Sequence, residues 1–238
     1  MKKAQIKKAI IIIFMLFCLI VLCYSGFKII AWYLNNKENA KVAQETKEYI
    51  TITKDKKAVD FEALKKKNPD TVAYLKVKNT NIDYVVVKST NNTYYLNHNF
   101  NQEYNPSGWI FADYRNKFDN TDKNIIIYGH NTMDGSMFGS LKNVLKQEWD
   151  SNEKNLDITL VTEKGEIIYE VFSVYQIKAE DYYIQTDFQN NDFSKFLDTI
   201  KSRSIYDFKT DVNENNIILT LSTCSSTGKE RVVLHAKH

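Results

Sequence analysis

The sequence predicts a mainly β domain with a few helices, set behind one membrane-spanning helix. Three observations carry that expectation. Eight short runs of β-branched and aromatic residues follow Pro69, turn-forming Asn, Asp and Gly separate them, and one long apolar run lies near the N-terminus. Eight strands suffice for a small barrel or a sandwich. The 238 residues leave room for one globular domain of roughly 170–200 residues beyond the apolar run. With only two prolines and seven glycines, the chain is neither collagen-like nor low-complexity.

The first element is Ala9–Tyr24, apolar throughout apart from Cys18 and Cys23, with apolar character resuming after Lys28 as far as Leu34. A spanning helix needs about 20 such residues. Five lysines and no acidic residue precede residue 36. This asymmetry places the N-terminus in the cytoplasm and the rest outside. The remaining 27 basic and 29 acidic side chains leave that part at −2, which gives no electrostatic case for nucleic acid. A cleaved signal peptide needs small residues where Leu22-Cys23-Tyr24 stands. Bulky Val21 and Leu22 also disfavour lipidation of Cys23. The expected division is therefore a cytoplasmic tail over 1–8, an uncleaved anchor over 9–34, a stalk with N-terminal helices over 35–70, and the β domain over 71–238.

Within the stalk, Asp60-Phe61-Glu62-Ala63-Leu64-Lys65 reads as a short amphipathic helix with Asp60 as N-cap, ended by Pro69. The strands expected after it are Val72–Val77, Ile82–Val87, Trp109–Asp113, Ile125–His130, Leu156–Val161, Ile167–Ile177, Ile217–Thr223 and Arg231–Ala236. Two stretches carry helical spacing instead. One is Met137, Phe138, Leu141, Val144 and Leu145; the other is Phe193, Phe196, Leu197 and Ile200. Both are expected to be core-facing stripes rather than binding surfaces.

Cys224 is the sole cysteine outside the apolar segment, so an exported domain holds one thiol with no intramolecular partner. A reactive nucleophile explains such an odd cysteine; a buried core thiol in a non-catalytic surface protein is the other reading. An ordinary thiol is only a few per cent thiolate at neutral pH, so catalysis needs a base or a positive charge nearby. Of four histidines, His238 is terminal and expected to fray, and His98 lies in an Asn-rich loop. His130 ends the Ile125-Ile126-Ile127-Tyr128-Gly129 run, where Gly129 would let another backbone or a substrate approach closely. His235 is the rival. If Cys224 and Arg231 face each other across a hairpin, His235 lies four residues further along, about 13 Å away. His130 is the better partner provided its strand neighbours that of Cys224. Arg231, one of three arginines with Arg115 and Arg203, offers a planar fork of donors for an oxyanion or a carbonyl. One non-membrane cysteine and no i, i+4 histidine pair make no zinc set, and no glycine-rich phosphate loop exists. No cofactor is expected.

Thr220-Leu221-Ser222-Thr223-Cys224, followed by Arg231 heading Val232-Val233-Leu234-His235-Ala236-Lys237, resembles the C-terminal signature of sortases, the membrane-anchored cysteine transpeptidases of Gram-positive bacteria. Tyr128-Gly129-His130-Asn131 with Met137-Phe138-Gly139-Ser140-Leu141 resembles the histidine region of class B sortases. Asn92–His98 and Trp109–Arg115 are similar to that class too. The resemblance covers most of Val72–Lys237. It implies an eight-stranded sortase-type barrel with N-terminal helices and a helix between the sixth and seventh strands. It also implies Cys224 as nucleophile, His130 as general acid/base and Arg231 as oxyanion or substrate holder. Asn92, Leu96, Tyr183, Ile184, Ser222 and Thr223 fall at the family's substrate-binding positions. The implied reaction cleaves a C-terminal sorting motif after threonine and joins the surface protein to a peptidoglycan amine at the outer membrane face. Release to water and pilin polymerisation remain as alternatives. The Ser225–Glu230 loop departs from the family's pattern in being short and polar, which bears on motif preference.

Overall fold

The computed structural model describes residues 2–52, 57–152, 155–189, 192–224 and 230–238. Helix α1 spans Lys2–Lys47. Its apolar part is long and apolar enough to cross a membrane, and none of that part is buried in the protein. The chain divides into two compact units, Met1–Glu38 and Asn39–His238. The closing turns of α1 belong to the second unit, where Asn39, Val42, Ala43 and Thr46 are buried at helical spacing. There Asn39 Nδ2 donates to the Gly108 carbonyl at 3.1 Å.

Strands β1 (Ile50–Ile52) and β2 (Lys57–Val59) pair antiparallel, a small sheet not foreseen in the polar stalk. Helix α2 (Phe61–Lys67) forms as expected. The Asp60 carboxylate accepts the Ala63 N–H at 2.9 Å, and Phe61 and Leu64 face inward.

All eight expected strands are present: β3 (Thr71–Val77), β4 (Asp83–Val87), β5 (Phe111–Ala112), β6 (Asn124–His130), β7 (Asp157–Thr162), β8 (Gly165–Lys178), β9 (Ile218–Cys224) and β10 (Glu230–Lys237). They close into a barrel in the order β10-β8-β7-β3-β4-β5-β6-β9. Closure removes exposed strand edges, so the barrel reading prevails over the sandwich. Most joints are antiparallel, but β4 meets β5 and β6 meets β9 in parallel. Buried on nearly its whole length, β6 is continuously apolar rather than alternating.

Helix α4 (Asp192–Ser202), between the sixth and seventh barrel strands, buries Phe193, Phe196, Leu197 and Ile200 as predicted, against Phe172, Tyr175, Ile218 and Val233. The other helical stripe needs correction. Met137, Phe138, Leu141 and Val144 are core residues, yet only Leu141–Leu145 is helical, as a 3-10 turn that precedes the short α3 (Gln147–Asp150). Met137 sits at φ +47° in a tight loop where the Phe138 N–H returns to the His130 carbonyl at 3.0 Å.

Candidate active site

The parallel joint between β6 and β9 builds the site. Seven residues of each strand are in register, from Asn124 opposite Ile218 to His130 opposite Cys224. The two residues singled out for acid/base and nucleophilic chemistry therefore end adjacent strands, side by side. On the far side of β9, the antiparallel ladder with β10 matches Val233 to Ser222, and two further steps of that register lead to Arg231 and Cys224. His130, Cys224 and Arg231 thus stand on three consecutive strands at one end of the barrel.

The half-buried His130 ring is fixed by Nε2, 2.7 Å from the Leu96 carbonyl. A carbonyl only accepts, so Nε2 carries a proton and Nδ1 is left to exchange one. The residue before it cannot be larger than glycine. A Cβ on Gly129 would lie 2.5 Å from Ile110 Cδ1 and 2.6 Å from Phe138 Cγ, both in fully buried side chains. What approaches Gly129 closely is therefore core side chains and not the backbone or substrate expected from the sequence.

A groove of about 220 Å³ opens beside this end, lined by Asn92, Leu96, Phe111, Tyr128, Ile184 and Arg231. Its wall is largely apolar, with one amide, one phenol and one guanidinium, a mostly apolar lining with a few polar groups able to orient a ligand. The Arg231 Nε is buried and has no hydrogen-bond partner among the described residues. An unsatisfied buried donor is costly, and a carbonyl oxygen entering the groove is the kind of group that would relieve it.

The groove brings Asn92, Leu96 and Ile184 together but not Tyr183, Ser222 and Thr223. Those three are buried, with Tyr183 Oη 2.9 Å from Ser222 Oγ and Thr223 Oγ1 accepting the Val232 N–H at 2.9 Å. The loop Ser225–Glu230 lies outside the described residues as far as Lys229.

His235 is wholly buried, with Tyr175 Oη 2.7 Å from Nε2 and Thr220 Oγ1 2.9 Å from Nδ1. Burial pushes its imidazole down to about 3, so it stays neutral. It is a structural residue of the barrel wall. His98 stacks on Tyr94 with ring centroids 4.1 Å apart. His238 does not fray: its N–H and carbonyl pair with Ile217 at 2.9 and 3.0 Å.

Sequence reasoning missed the carboxylate behind the groove. Asp113, just after β5, is fully buried. Its Oδ1 accepts from Arg115 Nε at 2.8 Å; its Oδ2 accepts from Arg115 Nη2 at 2.7 Å, Asn92 Nδ2 at 2.9 Å and Tyr128 Oη at 2.9 Å. Burial alone pushes the carboxyl up, but these donors, Arg115 foremost, hold it below the usual carboxylate range. Burial beside that anion pushes the Tyr128 phenol well up, so it remains a neutral donor. A signal was available in Arg115, one of only three arginines in a lysine-rich chain and two residues past an aspartate. Among the described residues, no group of three or more His, Cys, Asp or Glu is arranged to hold a metal.

A closed mixed barrel with a histidine, a cysteine and an arginine at one rim points to cysteine-based acyl transfer, and the sortase-domain model matches residues 75–238. The chain belongs to the sortase family and is a cysteine transpeptidase of cell-wall sorting. Within that family it falls in class B. It is 33% identical to sortase B of Staphylococcus aureus, over 98% of both chains. It is 37% identical to sortase B of Listeria monocytogenes, over 91% of this chain and 92% of that one. The structure of B. anthracis sortase B in complex with AAEK1 superposes with a TM-score of 0.76 at 34% identity, covering 86% of this chain and 98% of that one. The Staphylococcus aureus sortase B–substrate complex gives 0.70 at 38% identity, covering 74% and 83%.

Proposed function

We propose that Cys224, His130 and Arg231 transfer a surface protein from its C-terminal sorting motif to a peptidoglycan amine, cleaving after threonine. The observation that carries this reading is the parallel register placing His130 beside Cys224 while the Leu96 carbonyl fixes the His130 Nε2 proton. The Cys224 thiolate attacks the threonine carbonyl, and Arg231 receives the developing oxyanion. Collapse breaks the C–N bond; the leaving amine takes a proton from His130 Nδ1, and a thioester remains on Cys224. The incoming amine then attacks that thioester, gives a proton back to His130 and expels the thiolate. Asn92, Leu96 and Ile184 contact the motif, while buried Tyr183, Ser222 and Thr223 hold the wall behind them. Residues 9–34 of α1 anchor the protein, with residues 1–8 in the cytoplasm and the catalytic domain over 71–238 outside, as the lysine asymmetry argues.

The test uses the full chain in detergent micelles with a library of sorting-motif peptides and a panel of amines, followed by intact-mass spectrometry. An acyl adduct on Cys224 and a ligated product are expected, with neither from Cys224→Ala. Hydrolysed peptide with every amine supplied would instead make the enzyme a hydrolase.

A further inference from the structure

We propose that Asp113 and Arg115 are a positioning pair that sets the width and register of the peptide groove without touching the peptide. Three separate segments supply groove residues that converge on this pair. Asn92, from the β4–β5 connection, and Tyr128, from β6, both donate to Asp113 Oδ2. The third is the connection from β8 to α4: Arg115 Nη2 donates to the Ile184 carbonyl at 2.8 Å while also donating to Asp113. That connection is caught on both sides of Ile184 as well, because Asn124 Nδ2 reaches the Tyr183 carbonyl at 3.3 Å and the Gln185 carbonyl at 2.9 Å. A second tie secures the Asn92 side, where its Oδ1 accepts the Tyr114 N–H at 3.0 Å. Half of the groove lining is therefore referred to one buried carboxylate that lies outside the groove.

The chemistry of the pair explains why the residue is arginine. One guanidinium must present Nε and Nη2 to the carboxylate and still direct a donor at a carbonyl of another segment. A planar fork does this with fixed angles, whereas an ammonium neutralises the carboxylate but cannot hold both partners in that geometry. Loss of the fork should leave the charge balance intact yet remove the tie at Ile184 itself, so that its distance to Asn92 and Tyr128 is held only through the Asn124 bonds to Tyr183 and Gln185. Recognition then suffers more than chemistry, because the β6–β9 register sets the Cys224 and His130 backbones and the Leu96 carbonyl, rather than Asp113 or Arg115, fixes the His130 ring.

The inference rests on the peptide-transfer reading above, and the experiment separates the two. Arg115→Lys, Arg115→Ala and Tyr128→Phe are made in the full chain in micelles. Each is measured for peptide KM and kcat, for iodoacetamide alkylation of Cys224, and for thermal unfolding. Arg115→Lys is expected to melt close to the parent and to alkylate at the parent rate, with KM raised about tenfold and kcat within about threefold. Tyr128→Phe keeps the ring in the wall and loses one donor, so KM should rise about threefold. Arg115→Ala, which strands the carboxylate, should lose stability as well. A parent protein that cleaves no motif peptide would defeat the peptide-transfer reading. A parent that cleaves, with Arg115→Lys and Tyr128→Phe at parental KM, would overturn the positioning role, as would losses of kcat and alkylation rate that outweigh the change in KM.

Discussion

At the scale of single residues, the site asks for side chains that their nearest chemical relatives cannot replace. Among the described residues the buried Arg231 Nε has no partner, and Arg231 lines the groove, which is why it is proposed to receive an oxygen that arrives with the substrate. Replacing it with lysine keeps the charge and removes the fork. Peptide kcat/KM should fall by about a hundredfold or more, and steady-state cleavage assays read this directly. Gly129 is constrained from the opposite direction. Gly129→Ala would force a methyl against Ile110 and the Phe138 ring, costing about 1–3 kcal/mol by overpacking. A lowered unfolding midpoint together with slower peptide cleavage is expected, because the strain falls on the residue next to His130. Calorimetry and kinetics on the same preparation check both.

At the scale of elements, the strands and α4 were legible because their patterns are local. Period-2 and continuous β-branched runs, and the Phe193–Ile200 stripe, are read by the same solvent and packing forces that the structure displays. The Asp60 cap was legible for the same reason, and Asp60→Ala should cost about 1 kcal/mol of stability in a denaturant titration. Other features were not written locally. The helical spacing from Met137 to Leu145 is satisfied by a tight loop and a 3-10 turn, because burial alone, not helicity, fixes those side chains. Of the expected run Trp109–Asp113 only Phe111–Ala112 is strand, although the Asp113 N–H still reaches the Ile126 carbonyl at 2.9 Å and the Ile110 carbonyl still accepts from Val87. The neighbouring of β6 and β9 needed a three-dimensional closure that no run of residues encodes by itself. Tyr183, Ser222 and Thr223 match a motif in sequence, whereas their burial depends on the closed barrel and is not legible there.

At the scale of the whole molecule, acid should unfold the barrel earlier than its carboxylates require. His235 titrates near 6.5 when unfolded and near 3 when folded, because burial disfavours its charged form. Between those values the unfolded chain takes up the extra proton, so stability falls as pH drops through the window, by up to about 1.4 kcal/mol per pH unit. Asp83 and Asp113, held below their ordinary 3.8, add their losses only at lower pH. Thermal unfolding between pH 7.5 and 4.5 checks this: His235→Gln should start less stable yet lose less across the window. The seam between β6 and β9 has a further consequence for the chain as it is made. The proposed nucleophile and base come from positions roughly 90 residues apart, and such distant pairings form late. On the proposed topology, a chain still crossing the membrane presents the histidine before the sulfur's strand. With the proposed roles, reactivity is then withheld until the barrel shuts, and a half-exported molecule would not acylate itself on whatever peptide passes by.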